Sequence, residues 1–77
     1  MDERIRQVIV RTFGLEPSAV DDLASQQTIE AWDSLGHINL ILALEIEFGT
    51  QFSTSQIPLL VSFAAIRDAL HRGSRAA

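Results

Sequence analysis

Asp33, Ser34 and His37 are the residues whose types and spacing best suit chemistry. Asp33 precedes a long apolar run, where its carboxylate can accept from the free N–H groups of a first helical turn. Ser34 then falls on that turn, beside an acid and at the positive end of the helix dipole. That position suits a phosphate ester. A first-turn serine directs its hydroxyl to solvent, so a separate enzyme could reach it and supply the base. The plainer reading of Ser34 is a helix-start residue, a place where serine is favoured. His37 lies on the neighbouring turn and invites a serine–histidine nucleophile. No acid is placed to orient its imidazole and no oxyanion donor set is evident. A solvent-facing or partner-contacting histidine is therefore expected, not a catalytic one. His37 and His71 do not make a metal-ligand set. The chain has no cysteine, so disulfides, thiolate metal sites and cysteine nucleophiles are excluded. Any thiol would have to come from an attached group.

The element that must position Ser34 is residues 32–49, which read as one amphipathic helix of about four turns. Leu35, Ile38 and Leu42 recur at helical spacing, as do Ile41, Leu44 and Phe48. Asp33 is its expected N-cap, and Gly49 can take the left-handed conformation that ends it. Trp32, the single tryptophan, is expected to pin the preceding loop to the core.

Three further segments frame that helix. Residues 3–13 predict a first helix with Ile5, Val8, Ile9, Thr12 and Phe13 on one face, ended by Gly14 and Leu15. Residues 14–33 form a long connection held by Leu15, Val20, Leu23, Ile29 and Trp32, with a single helical turn at 17–20. Such a loop lets the first two helices lie side by side. Residues 50–61 hold a short helical turn: Ser53 and Gln56 have capping-box spacing, Phe52 and Ile57 staple spacing, and Pro58 limits its length. Leu59, Leu60 and Val61 are expected to face the core. Residues 63–72 form the last helix, capped by Ser62, with Phe63, Ile66 and Leu70 inward. Gly73 closes it and 74–77 is a frayed tail. The fold class is all-α: one domain over 1–73, with three main helices, one short helix and a long first loop.

Seventy-seven residues with an apolar fraction of 47% make one small ordered domain. The six basic residues are all arginine, and none falls between Arg11 and Arg67. That interval holds seven carboxylates, a local formal charge of −7 within a net charge of −4. Such a surface repels nucleic acid and anionic membranes and steers in basic partners, or is simply a solvated acidic face. No run is long enough to span a membrane, and the first residues lack a signal-peptide core. A cytoplasmic, free-standing monomer is the expectation.

Asp33-Ser34-Leu35, followed by a long apolar helix ending Leu44-Glu45-Ile46-Glu47-Phe48-Gly49, resembles the acyl carrier and peptidyl carrier superfamily. The resemblance covers nearly the whole chain. It implies that Ser34 is esterified with 4'-phosphopantetheine, whose thiol holds acyl or aminoacyl groups as thioesters. It implies a carrier, not an enzyme. Asp33 would aid recognition beside the metal site of a phosphopantetheinyl transferase, and Leu35 would help receive the arm. Gly36, His37 and Ile38 would meet partners, with Glu45 and Glu47 solvated and open to a basic partner at the far end of the helix. Those partners would be the transferase, an acyl- or aminoacyl-loading enzyme and downstream synthases. Fatty-acid carriers usually hold acidic residues on the first turn after the serine, where this chain has Gly36, His37 and Asn39. The wording looks more like carriers of specialised pathways than the housekeeping fatty-acid type, with polyketide, fatty-acid and nonribosomal peptide synthesis all open. The alternative is a helical interaction module with the same bundle that is never modified.

Overall fold

The computed structural model describes residues 2–72. Three α-helices and two short 3₁₀ turns make up the regular structure of these residues, which include no strand. Helix α1 (Asp2–Phe13) begins with two acids that suit its dipole and buries Ile5, Val8 and Ile9. At its end the Leu15 N–H returns to the Val10 carbonyl at 3.1 Å, which folds the chain back as expected.

The long connection is pinned at more points than its hydrophobic residues alone indicate. The expected turn is a 3₁₀ turn, Pro17–Ala19. Arg6 Nε donates to the Val20 carbonyl at 3.0 Å, fastening the loop to α1. Val20, Ala24, Ile29 and Trp32 are buried. Leu23 is a correction: it is exposed, and its small neighbour Ala24 takes the inward place. The Phe63 N–H donates to the Ala24 carbonyl and the Gln26 N–H to the Val61 carbonyl, both at 2.9 Å. This antiparallel bridge ties the loop to the start of the last helix.

Helix α2 (Ser34–Phe48) ends at Gly49, whose φ of 59° gives the expected left-handed cap. Its inward face is one that helical spacing alone does not select. Leu40, Ile41, Leu44 and His37 are buried, whereas Leu35, Ile38 and Leu42 face solvent. The reason is compositional. The helix is apolar nearly all round, so two faces have equally good helical spacing and periodicity cannot choose between them.

After α2 the predicted capping box forms. Ser53 N–H donates to Gln56 Oε1 at 2.9 Å, and Gln56 N–H donates to Ser53 Oγ at 3.2 Å. The second 3₁₀ turn (Ile57–Leu59) follows. Leu60 is buried but Leu59 is exposed, because the tight turn rotates successive side chains by about 120°. Ser62 caps helix α3 (Phe63–His71) by accepting the Ala65 N–H at 3.0 Å. Phe63, Ile66 and Ala69 join Ile5, Val8, Ile9, Leu40 and Leu44 in one core cluster. Arg67 donates to Asp2 at 2.9 Å, linking α3 to the start of α1. Gly73 and the expected tail at 74–77 lie outside the described residues. No helix among the described residues is long and apolar enough to cross a membrane.

Candidate functional site

Ser34 is the first residue of α2 and is exposed. Asp33 stands before it in extended conformation, and its Oδ1 accepts the Gly36 N–H at 2.8 Å. The Asp33 carbonyl accepts the His37 N–H at 2.7 Å, which closes the first turn. A cap of this kind contributes about 1 kcal/mol. Among the described residues no hydrogen bond engages the Ser34 hydroxyl. A free hydroxyl at a helix N-terminus, with an acid holding the turn in shape, fits a phosphoester. First-turn N–H groups without intrahelical partners can accept its charge.

The residues just behind Ser34 do not sit where a solvent-facing reading puts them. Gly36 is half-buried, and a Cβ there would lie 2.5 Å from the Ala31 carbonyl oxygen and 2.8 Å from Phe13 Cε1. Its lack of a side chain lets α2 start against the loop and against α1. His37 is 8% exposed, so the solvent-facing expectation is corrected. The Trp32 indole N–H donates to His37 Nδ1 at 2.9 Å, and His37 Nε2 lies 2.8 Å from the Ile57 carbonyl. An indole nitrogen only donates, so Nδ1 is the acceptor and Nε2 carries the proton that Ile57 accepts. Trp32 is fully buried as expected, stacked between Phe13 at 5.7 Å and His37 at 6.2 Å. His37 is thus the tie between the pre-helix loop, α2 and the second 3₁₀ turn. A tryptophan five residues before a histidine was the available signal for this pairing.

The two acids at the far end of α2 are also engaged within the fold. Glu45 Oε2 accepts the Phe52 N–H at 2.9 Å, orienting the chain as it leaves the helix. Glu47 lies between Arg4, at 3.2 Å, and Arg11, at 3.3 Å, which joins α2 to α1. Their free, solvated state is therefore corrected: the chain's own arginines and backbone occupy them. Hydrogen bonding from Arg4, then from Arg11, holds the Glu47 carboxyl below its ordinary value of 4.5. A carboxyl held lower in the folded chain than in the unfolded one stabilises the fold above the unfolded value. That contribution fades as pH falls through the folded value. Glu47→Gln should therefore melt below the parent at neutral pH, with the gap closing under acid conditions beneath 4.5. Melting curves of both proteins across that window check this, and a gap that holds constant would refute it.

What remains open to solvent on α2 is Ser34, Asn39 and four large apolar side chains, Leu35, Ile38, Leu42 and Ile46. Among the described residues no group of three or more His, Asp or Glu gathers as a metal site.

No family model matches the chain. It is similar to an acyl carrier protein of Zymomonas mobilis, with 32% identity over 68 residues spanning 88% of this chain and 83% of that protein. Acyl carrier proteins of Rhodopseudomonas palustris and Nitrobacter winogradskyi are each 39% identical over 49 residues. Those two matches span 64% of this chain and 62% of theirs.

Proposed function

This chain belongs to the acyl carrier protein family, and from that premise we propose that Ser34 is the attachment point of a 4'-phosphopantetheine arm. Acyl carrier proteins are carriers, not enzymes, so the chain is a substrate of the enzymes that load and use it. The observation that carries the reading is the exposed, unengaged Ser34 hydroxyl at the capped start of α2. Asp33 holds the first turn open at its N-terminus, and the unpaired N–H groups of that turn favour the phosphoester's negative charge. Leu35, exposed beside Ser34, offers an apolar surface to the root of the arm. When bound, the arm supplies a terminal thiol that holds an acyl or aminoacyl group as a thioester.

The partners of this reading are a phosphopantetheinyl transferase, a loading enzyme and downstream synthases, acting in the cytoplasm. Neutral Gly36, His37 and Asn39 in place of first-turn acids support a dedicated biosynthetic pathway. The exposed face of α2 is the docking surface, with Leu35 and Ile38 nearest the arm. The four other positions expected to meet partners, Gly36, His37, Glu45 and Glu47, shape that face from behind through the contacts described above.

Intact mass after incubation with coenzyme A, magnesium and a broad-specificity phosphopantetheinyl transferase tests the proposal. The parent should gain one phosphopantetheine and Ser34→Ala none. A folded parent that gains nothing would instead favour an unmodified interaction module built on the same bundle.

A further inference from the structure

We propose that the partner surface reading α2 is an uncharged apolar groove that takes Leu35, Ile38, Leu42 and Ile46 as a ladder of anchors. Any basic group on that partner lies only at the Ser34 end. The inference rests on the carrier reading and adds the chemistry of its partner.

The four side chains are 71%, 48%, 53% and 84% exposed, and their spacing keeps them on one narrow stripe of the helix. From Leu35 to Ile46 the stripe runs about 17 Å at ~1.5 Å per residue. A helix presenting anchors at such intervals is the geometry of a helix laid in an apolar groove.

The charges decide what kind of groove. Helix α2 has three ionisable side chains, and none lies free on the stripe. His37 is buried between Trp32 and the Ile57 carbonyl. Glu45 accepts the Phe52 N–H, and Glu47 is held by Arg4 and Arg11. Glu47 is already balanced by two arginines, and half-buried Glu45 holds a backbone N–H with one oxygen, so a lysine or arginine laid along this face would lose water for little compensation. The exposed acids near the stripe, Glu30 and Asp33, lie just before Ser34. Charge complementarity with a partner is thus confined to that end.

The same charges argue against two other occupants. An interfacial membrane helix carries Lys or Arg along its polar face, and α2 carries neither. Two copies of a chain with net charge −4 repel, and pairing through the stripe would bring their exposed acids together.

Kinetics of Ser34 modification with the full chain and a broad-specificity phosphopantetheinyl transferase provide the test. Leu42→Gln and Ile46→Gln, both at exposed sites, should raise the KM for the carrier about tenfold each with kcat held. Parent KM should change less than about twofold between ~50 and ~500 mM salt, because apolar docking is not screened. Unchanged KM in both variants, or a steep rise of parent KM with salt, overturns the proposal. A parent dimer in sedimentation that Ile46→Gln dissociates would assign the stripe to a second copy. Binding to anionic vesicles that Ile46→Gln abolishes would assign it to a membrane. Either result overturns the proposal as well. No modification of folded parent is a different failure: it removes the carrier reading and this inference with it.

Discussion

Gly36→Ala is expected to destabilise the fold by about 2 kcal/mol, the reverse of what helix propensity alone predicts. Alanine is favoured over glycine inside a helix by about 1 kcal/mol, and it also restricts the unfolded chain. Against that gain stands a Cβ placed 2.5 Å from the Ala31 carbonyl oxygen, 2.8 Å from Phe13 Cε1 and 3.2 Å from Asp33 Oδ1. The first of these is backbone and cannot rotate away. The second belongs to a ring stacked on buried Trp32, so moving it disturbs the core. Overpacking against rigid neighbours costs about 1–3 kcal/mol, with larger losses where backbone must shift. The steric term therefore outweighs the propensity gain. A domain of 77 residues has a total stability of roughly 4–12 kcal/mol at ~0.05–0.15 per residue, so the loss is a large share of it. Urea denaturation followed by far-UV dichroism checks this, and a midpoint above the parent's would refute it. Because the displaced segment is the first turn of α2, Ser34 modification should slow in the same variant.

The contrast between Gly36 and the residues beside it shows what this sequence makes legible. Features set by a few neighbouring residues could be read directly. Asp33 and Ser62 cap α2 and α3 as their side chains and positions indicate. The reciprocal bonds of Ser53 and Gln56 follow from a three-residue spacing. The start and end of the helix that presents Ser34 were legible for the same reason. Features set by distant parts of the chain were not. Which side of α2 turns inward depends on where α1 lies, and an all-apolar helix gives no local preference. Leu40, in neither of the two expected stripes, is fully buried. Arg4 and Arg11 precede Glu47 by more than thirty residues, with no arginine or lysine between Arg11 and it, so its ion pairs have no local signature. The partner of His37 Nε2 is a backbone carbonyl twenty residues away. A carbonyl is present at every position and marks none.

His37→Leu is expected to cost about 2–5 kcal/mol, and the cause separates it from an ordinary core substitution. Leucine fills similar space and is more readily buried, so loss of volume is not the main term. What is lost is a donor and an acceptor at once. The Trp32 indole N–H and the Ile57 carbonyl both lose their partner, and each unsatisfied buried polar group costs about 1–3 kcal/mol. Two partial replacements divide the effect. Asparagine can place an acceptor near the position of Nδ1 and so keep the Trp32 contact. Glutamine can extend a donor toward Ile57 while surrendering Trp32. Each should recover part of the loss, and neither all of it. Trp32→Phe removes the orphaned indole N–H while keeping a ring against Phe13. In the His37→Leu background it should therefore cost less than it does in the parent, and the difference measures the coupling of the pair. Urea midpoints of the four proteins in that cycle provide the number. Strict additivity would mean that the 2.9 Å contact between Trp32 and His37 contributes nothing to the fold. Coupling would establish that the contact with His37 holds the loop before Ser34 to α2, without touching the serine itself.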